Sequence, residues 1–385
     1  MFVPLFWEAV EFLYILEKTA VISPFFQNFT NNKVQQINFM MLTHCHELCK
    51  PVSIMILVNL ALAFVNLLLK KVLNEGMDYM AIITYRQAIS FIFMAPIAFI
   101  YERKHKVEVR IIFLLFLSAL LGVTVPQNLF LLGLEYTSAT FSCAFLNMVP
   151  VFTFIMAVPF GIEKVNMQSK GGKAKIVGTF VCIGGALLLV LYKGMPLIKP
   201  ESQYIADKVT SVPSTAKLGT WIIGSIILTV SCLLWSSWFI IQAKISKKYP
   251  CQYSSTAILS LFAAIQSAML TLIIKRNNAS WILKGKLEII SIIYAGLVGS
   301  GLCYVAMSWC VKQSGPVFTA AFTPLIQIFV AVLDFSVLKE EIYLGSVAGS
   351  ALVIAGMYIL LWGKSKEQGQ DVQKDMQTNQ DVERQ

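Results

Sequence analysis

The sequence predicts an all-α integral membrane protein of ten transmembrane helices, arranged as two inverted five-helix repeats, on three observations. Of 385 residues, 57% are hydrophobic and 14% charged, and apolar runs repeatedly reach the roughly 20 residues that cross about 30 Å of hydrocarbon. Those runs lack strand alternation, and a spanning backbone must satisfy its own hydrogen bonds, which leaves a helical bundle. Finally, the chain repeats itself about 177 residues apart: Ala139–Glu163 lies over Pro316–Glu340 without a gap, matching Phe141 with Phe318, Phe145 with Phe322, Phe152 with Phe329 and Glu163 with Glu340. At the same offset Leu120 and Gly122 fall on Leu297 and Gly299. An odd number of spans per copy turns the second copy upside down, an architecture that many secondary transporters share.

The first repeat, residues 50–192, holds spans at Pro51–Leu69, Tyr79–Ile100, Ile111–Leu132, Ser138–Pro159 and Lys175–Tyr192. An extramembrane linker, 193–218, leads to the second repeat, 219–363, with spans at Thr220–Ala243, Ser254–Ile274, Ile289–Val311, Val317–Leu338 and Leu344–Trp362. Residues 364–385, rich in Gln, Asp and Lys, read as a disordered cytoplasmic tail. Residues 1–49 form an extension whose apolar stretch Phe2–Phe26 is broken by Glu8, Glu11, Glu17 and Lys18; it reads as an interfacial helix or as a segment upstream of a later start at Met40 or Met41. Within it, HCHELC (His44–Cys49) groups two histidines and two cysteines, but the spacing is not that of a zinc finger and no second ligand pair follows, so no metal is expected. The remaining cysteines are scattered and read as packing residues.

An even helix count puts both termini on one side. Fifteen lysines and arginines flank the spans there against eleven on the other side, so the positive-inside rule places both termini in the cytoplasm. Asn278-Ala279-Ser280 then faces outward as a glycan acceptor. Membrane flanks account for the net charge of +10 without nucleic acid.

No built-in energy source is visible. Lys170-Gly171-Gly172-Lys173 lacks the upstream glycine of a phosphate loop and has Ala174 where a hydroxyl would hold magnesium. The three histidines lie outside the spans and no paired acids face one another, so neither an enzyme nor a cofactor is expected. The informative groups are polar ones inside the spans, which bilayers tolerate when they face a cavity or one another. Thr319, Thr323 and Gln327 form one stripe at helical spacing; Ser300, Tyr304, Ser308 and Lys312 form another; Gln127 and Glu135 share a face with Asn128 alongside. The bland account is that such stripes glue helices together, at about 0.6 to 2 kcal/mol per bond.

Spans four and nine carry a sharper signal. One reads Asn147-Met-Val-Pro150 and the other Pro324-Leu-Ile-Gln327, so each half breaks its helix where it offers an amide. Unwound backbone beside polar side chains is how transporters hold substrates near the midplane. Arg86, roughly 12 Å of helical rise beyond Asp78, is the one deep charge of the first half, and a buried arginine needs an anionic solute or a structural partner. Counted from Lys70 over Lys244 and Tyr79 over Tyr253, its counterpart is Ser260. Trp235, Trp238 and Trp309 are candidate cavity walls. Gly345-Ser-Val-Ala-Gly349, with Gly356 and the helix-five glycines Gly178, Gly184 and Gly185, invites close helix packing within the bundle or a homodimer through helix 5 or helix 10.

Several segments together carry a resemblance: YRQ at Tyr85–Gln87, QNLFLLGLEYTSATFSCAFLNMVPVFTFIMA from Gln127, WSSWFIIQAKISKKYP from Trp235, YAGLVGSGLCYVAMSWCVKQSGP from Tyr294, IYLGS at Ile342 and LLWGK at Leu360. From Lys50 to about Lys366 the chain resembles the plant EamA-like drug/metabolite transporters, the nodulin-like, Walls-Are-Thin-related proteins also called UMAMIT. The resemblance implies a ten-helix inverted-repeat fold of EamA type, residence in the plasma or vacuolar membrane, and passage of amino acids, auxin or related metabolites. In helix one, where that family usually carries a glutamine followed by two spaced glycines, this chain reads Asn59, Ala61 and Phe64.

The expectation is therefore a secondary transporter or facilitator of small organic solutes, amino acids or auxin-like carboxylates, working by alternating access of two halves. Arg86 would clamp a carboxylate, with Gln127, Asn147, Tyr304, Gln327 and the opened backbone at Pro150 and Pro324 supplying polar contacts. The alternative is a receptor or scaffold on a transporter fold that moves nothing.

Overall fold

The computed structural model describes residues 33–74, 77–103, 107–137, 145–162, 169–192, 196–198, 215–274, 281, 285–333, 342–343, 345, 348–349, 351–360, 362–363 and 366. Expectations for residues 1–32, Asn278–Ser280 and the tail beyond Lys366 lie outside these. The chain divides into two units, Met1–Ile54 and Met55–Gln385. In the first, the described residues are helical from Lys33, so the backbone of His44–Cys49 is helix, while its side chains lie outside the described ones.

The helices, in order, are α1 (Lys33–Asn74), α2 (Tyr79–Glu102), α3 (Val109–Ala119), α4 (Val125–Tyr136), α5 (Val149–Ala157), α6 (Lys170–Leu191), α7 (Thr215–Lys248), α8 (Gln252–Ile274), α9 (Lys286–Tyr294), α10 (Cys303–Ser314), α11 (Pro316–Ala321) and α12 (Pro324–Leu333), with α13 at Ala351–Leu360. Six stretches are long and apolar enough to cross a bilayer: Lys50–Leu73, Tyr79–Glu102, Val109–Leu134, Ile222–Lys248, Gln252–Ile274 and Lys286–Ser314. They match predicted spans one, two, three, six, seven and eight. The protein is an integral, multi-pass membrane protein.

The structure departs from the predicted elements in two places. Spans three and eight are not plain α-helices: π-turns occupy Leu120–Thr124 and Ala295–Leu302. Pro126 has no N–H to return to its upstream turn, and the second segment, AGLVGSGL, is glycine-rich. Leu120 and Leu297, paired by the repeat, both lie in these widened turns. The linker is also not wholly irregular, since β1 (Pro196–Ile198) pairs antiparallel with β2 (Ile342–Tyr343), and α7 begins already at Thr215.

Starts and stops follow local chemistry. Asp78 caps α2 by accepting from Met80 N–H at 2.9 Å, and Ser169 caps α6 by accepting from Gly172 N–H at 2.9 Å. Glu288 accepts from Gly285 N–H at 3.1 Å at the start of α9. Gly315 turns α10 into α11 at φ 87°, a left-handed conformation that favours glycine.

Small residues decide the packing. A Cβ on Gly178 would stand 2.6 Å from Leu360 N, one on Gly185 2.6 Å from Val353 N, one on Gly356 2.5 Å from Cys182 N, and one on Gly363 2.8 Å from Gly171 O. Glycines seven apart on α6 (171, 178, 185) thus meet glycines seven apart on the last helix (363, 356, 349) in antiparallel order. Without side chains between them the backbones touch. α2 and α8 form another extensive seam, where the hydroxyls of Ser90 and Ser260, both fully buried, lie 2.9 Å apart.

Candidate functional site

Spans four and nine are both interrupted. Met148 and Phe322 adopt the same backbone conformation, φ −81° with ψ −10° and −11°, and the neighbouring bonds are short-range: Met148 N–H to Phe145 O at 2.9 Å, Thr323 N–H to Ala320 O at 3.0 Å. Pro150 then lies in the first turn of α5 and Pro324 opens α12. Each proline lacks the N–H that would continue the upstream helix, so each restarts it.

At these breaks the two predicted amides meet. Asn147 Nδ2 donates to Gln327 Oε1 at 3.0 Å, with Asn147 1% exposed. Tertiary packing holds the break in place from α7, where Cys232 Sγ donates to Phe145 O at 3.1 Å and Ser236 Oγ donates to Val149 O at 3.1 Å.

The same stretch of α7 carries an aromatic group. Tyr304 stands edge-on to Trp238 at 5.3 Å and to Trp235 at 6.5 Å, and the two tryptophans are 6.4 Å apart. The two perpendicular tyrosine–tryptophan pairs suit the ring quadrupoles, whereas the tryptophans are tilted at 32° to each other. Trp238 fits because position 122 is glycine: a Cβ there would lie 2.7 Å from Trp238 Cβ. Its counterpart Gly299 packs on Val65 of α1. Arg86, half-buried on α2, is within electrostatic reach of Tyr304 and Cys303.

Four hydrogen-bond donors around this point are buried and unpartnered: Arg86 Nε, Trp238 Nε1, the Tyr304 hydroxyl and the Ser300 hydroxyl one turn from it. Arg86 makes no ion pair or hydrogen bond among the described residues. Buried polar atoms in folded proteins are nearly always satisfied, and the guanidinium and indole N–H groups can only donate, so unpartnered here beside two hydroxyls they mark a place shaped for an acceptor.

Of the predicted site residues, the structure joins Asn147 to Gln327 and gathers Arg86 with Tyr304. Gln127 is half-buried on α4 with its Oε1 unpartnered, and Pro126 O beside it accepts from Ser231 Oγ at 2.8 Å. Ser308 is buried, whereas Lys312 at the end of the same stripe is exposed. Thr319 bonds back to Gly315 O at 3.0 Å and serves its own helix. Asn59, 1% exposed, likewise bonds back to Met55 O, and Phe64 packs on Tyr294 with centroids 6.1 Å apart. Among the described residues Trp309 makes no ring contact with the aromatic group, which is Trp235, Trp238 and Tyr304. Its assembly from two spans had a sequence signal in Gly122, a small residue opposite a tryptophan, but no pattern that named the pair. Among the described residues no group of His, Cys, Asp and Glu is arranged to hold a metal.

The chain matches the model of the EamA-like transporter family twice, over residues 50–191 and 222–362. Among curated proteins it is similar to three WAT1-related proteins of Arabidopsis thaliana: one 49% identical, covering 88% of this chain and 93% of the relative; one 47% identical, covering 86% and 92%; and one 45% identical, covering 82% and 87%. A solved crystal structure of a protein 10% identical superposes with a TM-score of 0.60 over 80% of this chain and 97% of that one, a likeness of fold alone.

Proposed function

The chain belongs to the EamA-like transporter family and is a membrane transporter; from that premise we propose that it is a secondary transporter or facilitator of small organic solutes bearing a carboxylate, amino acids or auxin-like acids. The observation that carries this reading is Arg86. A guanidinium inside a span, with a buried unpartnered Nε and the unpartnered Tyr304, Trp238 and Ser300 donors around it, offers one positive charge and several donors to one anionic group. The faces of Trp235 and Trp238 then take the apolar body of the solute. In the proposed cycle the two five-helix halves rock around this point, and the breaks at Pro150 and Pro324, bridged by Asn147 and Gln327, are the places where spans four and nine bend.

The reading includes ten spans in two inverted repeats, both termini in the cytoplasm, and residence in the plasma or vacuolar membrane. A homodimer through helix 5 or helix 10 would use their exposed faces, such as Val177 and Phe180 or Ile354 and Tyr358, since the glycine faces are turned to each other.

The test is a solute screen by mass spectrometry in proteoliposomes loaded with mixed amino acids and indole acids, wild type against Arg86→Ala. Loss of export of a carboxylate-bearing solute in the variant supports the clamp; equal flux demotes Arg86 to a packing role. The Asn147–Gln327 bond favours a second reading, a receptor or scaffold whose polar groups tie helices together. That reading gains if neither protein moves any solute despite correct folding.

A further inference from the structure

The two helices that form the α2–α8 seam cap their N-termini in different ways. α2 is capped locally, by Asp78 on Met80 N–H. In the repeat register that places Tyr79 over Tyr253, the residue equivalent to Asp78 is Gln252, an amide in place of the carboxylate. Gln252 is 7% exposed and both ends of its amide are unpartnered, so it does not cap α8. The cap comes instead from the far end of α2: the Glu102 carboxylate accepts from Tyr253 N–H at 3.2 Å and from Ser254 N–H at 2.6 Å. Tyr101, beside it, packs on Tyr253 with centroids 6.1 Å apart. α2 lies in the first segment matched by the family model and α8 in the second, so the second helix borrows from the other half what the first supplies for itself.

We propose that Glu102 is the latch of this face of the transporter: its carboxylate ties the end of α2 to the N-terminus of α8 while the face is closed, and the tie breaks when the face opens. The proposal rests on the alternating-access reading. The physics favours a latch over a passive cap. A carboxylate on free N–H groups at a helix N-terminus makes charge-assisted hydrogen bonds and is attracted by the positive end of the helix dipole, so the contact is strong. It is also made by one rigid helix end on another, with no backbone connection, so it can separate without unfolding either helix. Glu102 is a positioning residue and touches no solute.

Cys251, 4% exposed and one residue before α8, reports on the face. The experiment compares wild type with Glu102→Gln combined with Gln252→Asp, in proteoliposomes. The second substitution restores a local cap to α8 and returns a negative charge near the thiol, so faster alkylation reports access and not thiol chemistry. Maleimide reaction at Cys251, read by peptide mass spectrometry, is expected to rise about ten-fold or more in the double variant, which melts as the wild type does. A wild-type rate in a folded double variant overturns the latch and leaves Glu102 a cap. Should the double variant not fold, Gln252→Asp alone sets two carboxylates competing for Ser254 N–H; a raised rate supports the latch and an unchanged rate overturns it. Flux of the mixed amino acids and indole acids is measured in parallel. Flux with an unchanged alkylation rate removes the latch and keeps transport, whereas faster alkylation with no flux in any protein keeps the contact as a conformational tie and removes transport.

Discussion

Arg86 and Cys251 show how much a side chain's surroundings decide at the scale of one residue. A central arginine costs about 2.5 to 3.5 kcal/mol on insertion scales, and among the described residues Arg86 meets no acid that would offset it. Its charge is therefore available, and Arg86→Lys is expected to keep some binding but lose the planar fork that grips a carboxylate, raising the apparent KM more than it lowers the maximal rate; Arg86→Ala should abolish flux. Equal KM values in wild type and Arg86→Lys would sink the clamp. Cys251 stands outside the spans, in the turn between α7 and α8. Burial first, and the Glu102 charge next, push its thiol above the ordinary range, with Lys312 opposing. The folded state thus holds the thiol proton more tightly than the unfolded chain. The stability this adds is fully present below the unfolded thiol pKa and is lost as pH rises through the folded one. Alkylation of Cys251 in the wild type is accordingly expected to stay slow at neutral pH and to climb only under alkaline conditions; a profile with the midpoint of a free thiol would contradict it.

At the scale of elements, glycine and proline placement matters more than hydrophobicity. The antiparallel seam between α6 and the last helix leaves no room for a side chain at positions 178, 185 or 356. Gly356→Leu is expected to destabilise the folded protein by about 1 to 3 kcal/mol or more, read as lower yield of monodisperse protein in detergent and a lower Tm, while Gly184→Ala, with only a distant neighbour, should be tolerated. Equal Tm values for the two variants would remove the seam as a stabilising contact. The breaks in spans four and nine were legible because each proline stands three residues from an amide at matched positions of the repeat, whereas Pro51 and Pro96 sit inside helices that run on through them. The π-turns were not, because a widened turn depends on what packs against it: Gly296 on Ile89, Gly299 on Val65 and Gly301 near Met94.

At the scale of the whole molecule, the two repeat segments are joined by extensive apolar seams, such as Met94 and Ala98 against Ala257 and Ala157 against Ile240 and Val317, and a few polar bonds cross with them: Asn147 with Gln327, Ser90 with Ser260, Thr124 with Gln266 and Glu102 with α8. A double-mutant cycle of Asn147→Ala and Gln327→Ala is expected to give an interaction energy of about 0.6 to 2 kcal/mol in thermal unfolding; strictly additive effects would mean the amide bond does not tie the segments. Apolar length alone specifies that helices cross a bilayer, the proline–amide pairs of spans four and nine specify where those two break, and a lone arginine marks the expensive spot. Those are local properties, and length, period and proline chemistry act within one turn or one span. Tertiary packing sets the partners: Asn147 bonds Gln327, Tyr304 stands by Arg86 with Trp238 packed on its ring, and Glu102 and not Gln252 caps α8. Each of those pairs joins residues far apart in the chain, and their meeting depends on helix rotation and on which backbones approach closely enough to touch.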